Sequence, residues 1–448
     1  NIETHGIKRR LFTLLPFYLF IFTALCVAQT SAPNGPGRDA QWATAGKQAV
    51  GSSSSLQSKV WFTLAQGVMT EVYFPDVTVA NVHLLQFVVV DPKTKKVETE
   101  QLDANHQIQV LRPDSLSFRQ INTAKSGLWK ITKTYTTDIE RDSVLIDVQF
   151  ESKNSNLNLY VYFDPSLGNS GMGDKAYSPL TQMSVEIERE KVQMDKKGVE
   201  IDGAKRSATV SSGLGADDGE YATALVFSND IEEFTNGFYG VNDGMDQLRK
   251  FGKIKQTYGE AKNGNVVQMA KILNPKSFTA VLGLAKDPNY NILTAAGNAS
   301  KSLQKGFKRA LAEYEKEWAD YVAKLPTVDQ KYQAQFNMAA MQLKIHEDKA
   351  VRGGNIASLT VPWGGGDNAN VNNIGGYHLI WSRDLYQVST AFWAIGDKDA
   401  AIRALNFLFR VQQKEDGSFP QNSYLDGKPF WGSLQLDEVA YPLVMAWE

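Results

Sequence analysis

With 448 residues the chain is long for one domain, so two or more bodies with separate cores are expected. Its 47 basic and 49 acidic residues leave a formal net charge of -2, and no Lys/Arg block follows the first dozen residues. Nothing there attracts a phosphate backbone, which excludes nucleic acid as a partner and points to a neutral one.

At the N-terminus Lys8, Arg9 and Arg10 precede an apolar stretch from Leu11 to about Val27, and small residues follow. This is the layout of an export leader. Cleavage after Ala28 is expected, making residues 1–28 a signal peptide, with an uncleaved anchor as the other reading. The mature chain is therefore expected outside the cell or in the periplasm, touching a membrane only through the leader. Cys26 is the single cysteine, and its removal leaves no disulfide, zinc–cysteine site or cysteine nucleophile. A lipoprotein reading of Cys26 is weak, because Leu25 stands where a small residue is usual. The sequence starts at Asn1 rather than Met and stops at Glu448 within an apolar helical pattern, so a fragment of a longer secreted polypeptide is expected.

Residues 29–296 read as a β-rich domain. Alternating apolar residues, punctuated by Gly, Asn, Asp and Pro every ten residues or so, imply a large antiparallel β-sandwich. Val144, Ile146, Val148 and Phe150, then Leu157, Leu159, Val161 and Phe163, flank the polar turn Lys153-Asn154-Ser155-Asn156 and predict a hairpin. Further strands are predicted around residues 60–74, 84–91, 128–135, 185–193, 223–228 and 278–284.

The period changes at about Ala299. Leu303, Phe307, Leu311, Tyr314, Trp318, Tyr321 and Leu325 recur every three or four residues, giving a linker helix over residues 297–326 that ends before Pro326. Residues 327–448 form a helical domain. Its first helix carries Tyr332, Phe336, Ala339 and Leu343 on its stripe. A loop with Pro362-Trp363-Gly364-Gly365-Gly366 follows, then helices from Asp384 to Ile395 and from about Lys398 to Gln413, and one starting near Asp437. Long loops rich in Trp, Gly and Asn at helix ends are unlike those of a plain bundle and are where function sits.

Two runs in this region can do chemistry. Gln435-Leu436-Asp437-Glu438 opens a helix, where the dipole favours a carboxylate, so a capping role is one reading. Pro442 falls in the early turns, where a missing N–H is tolerated. The approach Phe430-Trp431-Gly432-Ser433-Leu434, however, is too aromatic for a solvated cap. A carboxyl packed near Trp431 would have its pKa raised, as a general acid near neutral pH requires. In Tyr377-His378-Leu379-Ile380-Trp381-Ser382-Arg383-Asp384, an Arg fork and a carboxylate beside a Trp face suit a pyranose ring; the bland reading is a helix-terminal acid and a surface Arg. Gly168, Gly171 and Gly173 imitate a nucleotide loop but open no helix, so a turn is expected. The five histidines lack ligand spacing, and neither metal nor cofactor is expected; His378 is read as structural.

Taken together, five ordered segments resemble the bacterial glucoamylase and glucodextranase family of inverting glycoside hydrolases. They are 343–349, 356–364, 377–384, 416–422 and 435–438. Residues 67–75 and 164–174 resemble that family's N-terminal β-domain. The resemblance implies a fold of β-sandwich, linker helix and the first third of an (α/α)6 barrel. It implies an exo-acting α-glucosidase that releases β-glucose from non-reducing ends of α-glucans. It makes Glu438 the general acid, with Asp437 the competing choice, and gives Arg383, Asp384 and Trp381 to the terminal glucose. Tyr377 would orient the attacking water, and Trp363 and Trp431 would be subsite walls. An inverting site needs a second carboxylate about 6.5 to 9.5 Å from the acid. In the family that base is a Glu late in the barrel, and no glutamate here matches it, so this chain is expected to release no glucose. The alternatives are a glucodextranase or trehalose hydrolase, an inverting disaccharide phosphorylase of the same architecture, and a non-catalytic carbohydrate-binding fragment.

Overall fold

The computed structural model describes residues 31–43, 45–178, 184–188, 191–195, 205–207, 213–287, 291–359, 368 and 376–448. The leader and the Trp363 loop lie outside these residues. Two antiparallel sheets form the N-terminal body, and the chain passes repeatedly between them.

Strands β1 (Ala49–Ser52), β2 (Trp61–Ala65), β3 (Val68–Tyr73), β4 (Val82–Asp91) and β5 (Lys96–Thr99) begin an eight-stranded sheet. A single turn, α1 (Glu100–Asp103), leads to β6 (Ala104–Val110), β7 (Phe118–Ala124), β8 (Trp129–Thr137) and β9 (Ser143–Ser152), which begin a nine-stranded sheet. Then β10 (Asn158–Pro165) returns to the first sheet and β11 (Asp174–Tyr177) to the second, while β12 (Ser184–Glu188), β13 (Lys191–Asp195) and β14 (Lys205–Ser207) make a small sheet of their own. Finally β15 (Gly213–Asp217), β16 (Tyr221–Phe227), β18 (Glu260–Gly264) and β20 (Ser277–Lys286) join the nine-stranded sheet. The eight-stranded sheet gains β17 (Ile231–Phe238), which leads into α2 (Met245–Phe251), and β19 (Val266–Ile272). The predicted sandwich is present. The segment 185–193 is not one strand; it divides between β12 and β13.

The predicted hairpin at residues 144–163 is corrected. β9 pairs with β8 and β20, whereas β10 pairs with β4 and β19 in the opposite sheet. The Asn154 turn forms, with Leu157 N donating to Asn154 O at 3.1 Å, but it carries the chain across the core. Both strands send apolar side chains into one inter-sheet core that includes Val144, Ile146, Val148, Leu159, Val161 and Phe163. Alternation reports that each strand has a buried face; it does not report whether the two share a ladder.

The linker is two helices rather than one. α3 (Asn291–Lys305) and α4 (Phe307–Val322) are broken at Gly306, whose φ of 84° and ψ of 142° no helix allows. α3 covers the outer face of the nine-stranded sheet, burying Leu145, Val226 and Val281 under Ala295, Ala296 and Ala299. Gly283 permits this contact: a Cβ there would lie 2.1 Å from Ala295 O. α4 inserts Tyr314 and Trp318, whose OH and Nε1 donate to Leu116 O and Ser52 O at 3.0 Å each.

The helical region continues with α5 (Gln330–Ile345), α6 (Ser382–Ala394), α7 (Lys398–Phe407), which runs into a π-turn at Leu408–Gln412, and α8 (Leu436–Trp447). The stripe predicted for α5 is shifted. Asn337, Ala340, Met341 and Ile345 face inward, and Tyr332 is 54% exposed. The β-domain selects that face: Trp61 Nε1 donates to Ile345 O at 2.8 Å, and Gln342 Nε2 to Val50 O at 3.2 Å. The next residues dock on the same strands. Tyr73 OH donates to Leu359 O at 2.7 Å, and buried Lys349, its pKa pushed down to about 7 by desolvation, donates to Ser52 Oγ at 2.8 Å. The β-sandwich thus fixes the end of α5 and the loops behind the two chemical runs.

Candidate active site

Both runs sit at the N-termini of helices that lack a side-chain cap. Trp381 and Gln435 occupy the cap positions of α6 and α8 in extended conformation without accepting a hydrogen bond, unlike Asp329 and Asp397 at α5 and α7. The first-turn donors of α6 are therefore free for another group. Glu438, from α8, takes them. Its side chain is fully buried, and Oε2 accepts from Arg383 N at 2.9 Å and from Ser382 Oγ at 2.7 Å.

Pro442 explains a further contact. It is the residue whose N–H would complete the helical bond to the Glu438 carbonyl, and proline has none. Ser382 Oγ fills the gap, lying 2.6 Å from Glu438 O. One hydroxyl therefore meets both the main chain and the carboxylate of Glu438.

The Arg383 guanidinium lies among three carboxylates. Nη1 donates to Asp437 Oδ2 at 2.7 Å and stands 3.1 Å from Glu438 Oε1, while Nη2 is 3.5 Å from Asp384 Oδ2. The Glu438 contact fails hydrogen-bond geometry, so Oε1 is a buried oxygen without a hydrogen bond among the described residues. Neighbouring residues on a helix point different ways, yet Arg383 and Asp384 touch, because Asp437 and Glu438 draw the guanidinium across the first turn of α6.

The three acids differ for visible reasons. Burial pushes the Glu438 pKa up, against the pull of the Arg383 amide, the Ser382 hydroxyl and the Arg383 charge. Asp384 is also raised, chiefly by burial. Asp437 is lowered by its hydrogen bond from Arg383. Ser382 has one proton for the Glu438 carbonyl and Oε2, so the lasting donor on Oε2 is Arg383 N, and Oε1, without a hydrogen bond, is the oxygen open to carry a proton.

Aromatic rings complete the cluster. Trp381, 7% exposed, stacks on Tyr377 with centroids 5.8 Å apart and meets Trp431 edge-on at 6.2 Å. Trp431 is held by its own N–H, which donates to Asn422 Oδ1 at 2.9 Å, and it packs on Phe430 at 5.3 Å. The structure thus brings Arg383, Asp384, Asp437 and Glu438 into one charged cluster and Tyr377, Trp381 and Trp431 into one aromatic cluster, and the two meet in the chain where Trp381 opens α6. Trp363 lies outside the described residues. His378 turns the other way: its ring meets Tyr73 edge-on at 5.0 Å, and burial lowers its pKa to about 4, keeping it neutral. Sequence reasoning missed Ser382 and Asn422. The signal for Ser382 was present, since a proline four residues after a glutamate frees that carbonyl for an outside donor. Among the described residues no group of three or more His, Cys, Asp or Glu is placed to hold a metal ion. The Gly168, Gly171 and Gly173 run forms left-handed turns between β10 and β11.

Residues 32–323 match the family profile described as glucodextranase, domain N, and residues 330–419 match glycosyl hydrolases family 15. The chain belongs to the bacterial glucoamylase and glucodextranase family. A glucoamylase of Clostridium sp. (strain G0005) is 34% identical over 428 residues, covering 93% of this chain and 55% of the relative. The crystal structure of a bacterial glucoamylase complexed with acarbose superposes with a TM-score of 0.81 at 33% identity, covering 93% of this chain and 57% of that one. The chain therefore spans little more than half the length of these glucoamylases. Its fold is theirs over that span, β-sandwich first and helices of an (α/α)6 barrel after. α8, with Glu438, falls beyond the family 15 match.

Proposed function

We infer that the cluster at α6 and α8 is the acid half of an exo-acting, inverting α-glucosidase that releases β-glucose from non-reducing ends of α-glucans. The observation that carries this is Glu438: a buried carboxyl with a raised pKa, one oxygen held by the Arg383 amide and shared with the Ser382 hydroxyl, and an unbonded second oxygen, at the first turn of the helix that Trp381 opens. Glu438 gives the Oε1 proton to the glycosidic oxygen. As negative charge returns to the carboxylate, Ser382 Oγ, Arg383 N and the Arg383 charge stabilise it, so the donors that oppose burial in the resting state favour the transferred state. Asp437 stays ionised and anchors Arg383. Asp384 and the outer guanidinium nitrogen face the sugar hydroxyls, Trp381 packs on its apolar face, Trp431 walls the next subsite, and Tyr377 orients water.

Supporting the substrate class are the 34% identical glucoamylase and the acarbose-bound structure. We assign the base to neither Asp437 nor Asp384, since both contact the guanidinium beside the acid, and no glutamate of the chain matches the base that the family resemblance implies. The chain of 448 residues is then expected to bind maltose and release no glucose. Maltose turnover by it would overturn that assignment. In a longer form that is active, NMR of fresh product should show β-glucose first; α-glucose first would remove inversion, and phosphate-dependent cleavage would move the reaction to a phosphorylase. Export by residues 1–28 is part of the same proposal, and the secreted form should begin at Gln29.

A further inference from the structure

The β-domain carries a polar depression of about 530 Å³ between the approach to β1 and the start of β6, edge strands of the two sheets. Gln48, Gln66, Gln101, Asn105, His106 and Lys125 line it. Two of the side-chain amides bond each other and a third rests on the main chain. Gln48 Oε1 accepts from Gln66 N at 3.0 Å, and Gln66 Oε1 accepts from Gln101 Nε2 at 2.9 Å. These bonds use one end of each amide and fix its direction. Gln48 Nε2, Gln66 Nε2, Gln101 Oε1 and the Asn105 amide have no protein partner among the described residues. The single charge, Lys125, is occupied by Leu102 O at 2.8 Å.

The floor is rigid in an uncommon way. Gln66 and Gly67 form the two-residue turn between β2 and β3 with φ of 50° and 79°, and glutamine is a poor choice for left-handed backbone. Gly67 is required there, because a Cβ would lie 2.2 Å from His106 Nδ1. Beneath the turn, Gly67 O accepts from Asn122 Nδ2 at 2.6 Å and from Lys133 Nζ at 2.9 Å, and Lys133 pairs with Glu100 with both side chains fully buried. Asn122 Oδ1 and Gln101 O then lie 3.1 and 3.2 Å from the two ring nitrogens of His106, and a neutral imidazole donates to one of these oxygens at a time. A buried ion pair is a weak source of stability, but here its bonds run without a gap to three residues of the lining. A strained turn held in place by a buried network marks a surface kept in shape for something.

We propose that this depression is a second, non-catalytic site that takes a neutral glycan strand through its hydroxyls. Sugar hydroxyls donate and accept at once, and oriented amides answer in both senses, whereas an anionic ligand would find one occupied lysine. The depression is distinct from the catalytic cluster. It lies at the turn end of the β2–β3 hairpin, while Trp61 and Tyr73 at the other end touch the helical region, four residues or roughly 13 Å along the strand.

The test is independent of turnover. Trp381→Ala/Asp384→Ala disables the cluster, and this variant should still be retarded by soluble starch in native gels. Adding Gln48→Ala and Asn105→Ala, both exposed positions, should weaken that retardation at least fivefold without moving the melting temperature. Salt at high concentration should leave it unchanged. In the unmutated chain, maltoheptaose should shift the side-chain amide resonances of Gln48, Gln66 and Asn105. The proposal is overturned if the cluster-disabled variant is not retarded, if the two added substitutions change nothing, if salt abolishes the effect, or if the shifts fall only on α6 and α8.

Discussion

Two glutamates, Glu347 after α5 and Glu438 in α8, are both buried and both touched by arginine, yet their protons behave oppositely. Glu347 sits between two forks: Arg352 and Arg403 each bind it through Nε and an Nη, at 2.6 to 3.1 Å, and Gly353 N adds a fifth donor. Its pKa falls to about 2. Glu438 has one hydroxyl, one amide and a guanidinium out of line, and burial outweighs them. An arginine nearby does not by itself ionise a carboxyl; aligned donors must be numerous enough to replace the lost water. The first arrangement is a clamp, and the second leaves a proton available.

The largest break in that comparison is Glu438→Gln. In a catalytically complete form, turnover should fall by about 10²–10⁴ while maltose binding and the denaturation midpoint hold, since the amide keeps the shape and relieves the buried charge. Unchanged turnover would take the acid's role from Glu438. Glu347→Gln should do the converse. A carboxyl lowered from 4.5 to about 2 contributes about 3 kcal/mol, so urea unfolding at neutral pH should show a loss near that size with the geometry at Glu438 intact.

The pH dependence separates the two by sign. A depressed pKa gives stability that is present above the ordinary value of 4.5 and is lost as pH falls towards 2, so wild type and Glu347→Gln should converge over that window. A raised pKa works the other way: ionising Glu438 opposes folding, and the acid role proposed for it should be lost as pH rises through its folded value above 4.5. The smallest effect is Ser382→Ala. Losing a donor to the carboxylate should raise the Glu438 titration midpoint further, followed by carbon NMR of the carboxyl, and Ser382→Thr should restore it. A lowered midpoint would mean that Ser382 does not stabilise the ionised form.

Much of this was legible in the sequence. Aromatic runs ahead of two helix starts, together with the family resemblance, singled out Trp381, Arg383, Asp384, Asp437 and Glu438, because a helix opening announces itself by local pattern; that neither helix carries a side-chain cap was not legible. That Arg383 would bridge Asp437 and Glu438 was not legible, since it depends on α6 and α8 meeting across more than fifty residues of chain. The same limit hid the break at Gly306, where the apolar stripe continues through a residue whose φ is positive. It also hid the inward face of α5, where small and amide side chains on both sides left the choice to the β-domain. The folding of β9 and β10 into opposite sheets was hidden differently: a hairpin and a crossing share one local signature.

That crossing has a consequence for how the molecule comes apart. The passages of chain from one sheet to the other, at β5 to β6, β9 to β10, β10 to β11, β16 to β17, β17 to β18, β18 to β19 and β19 to β20, tie the fate of one layer to the other. Melting one sheet would pull strands from the other, so the two layers are expected to unfold together, and their formation waits for distant segments to meet.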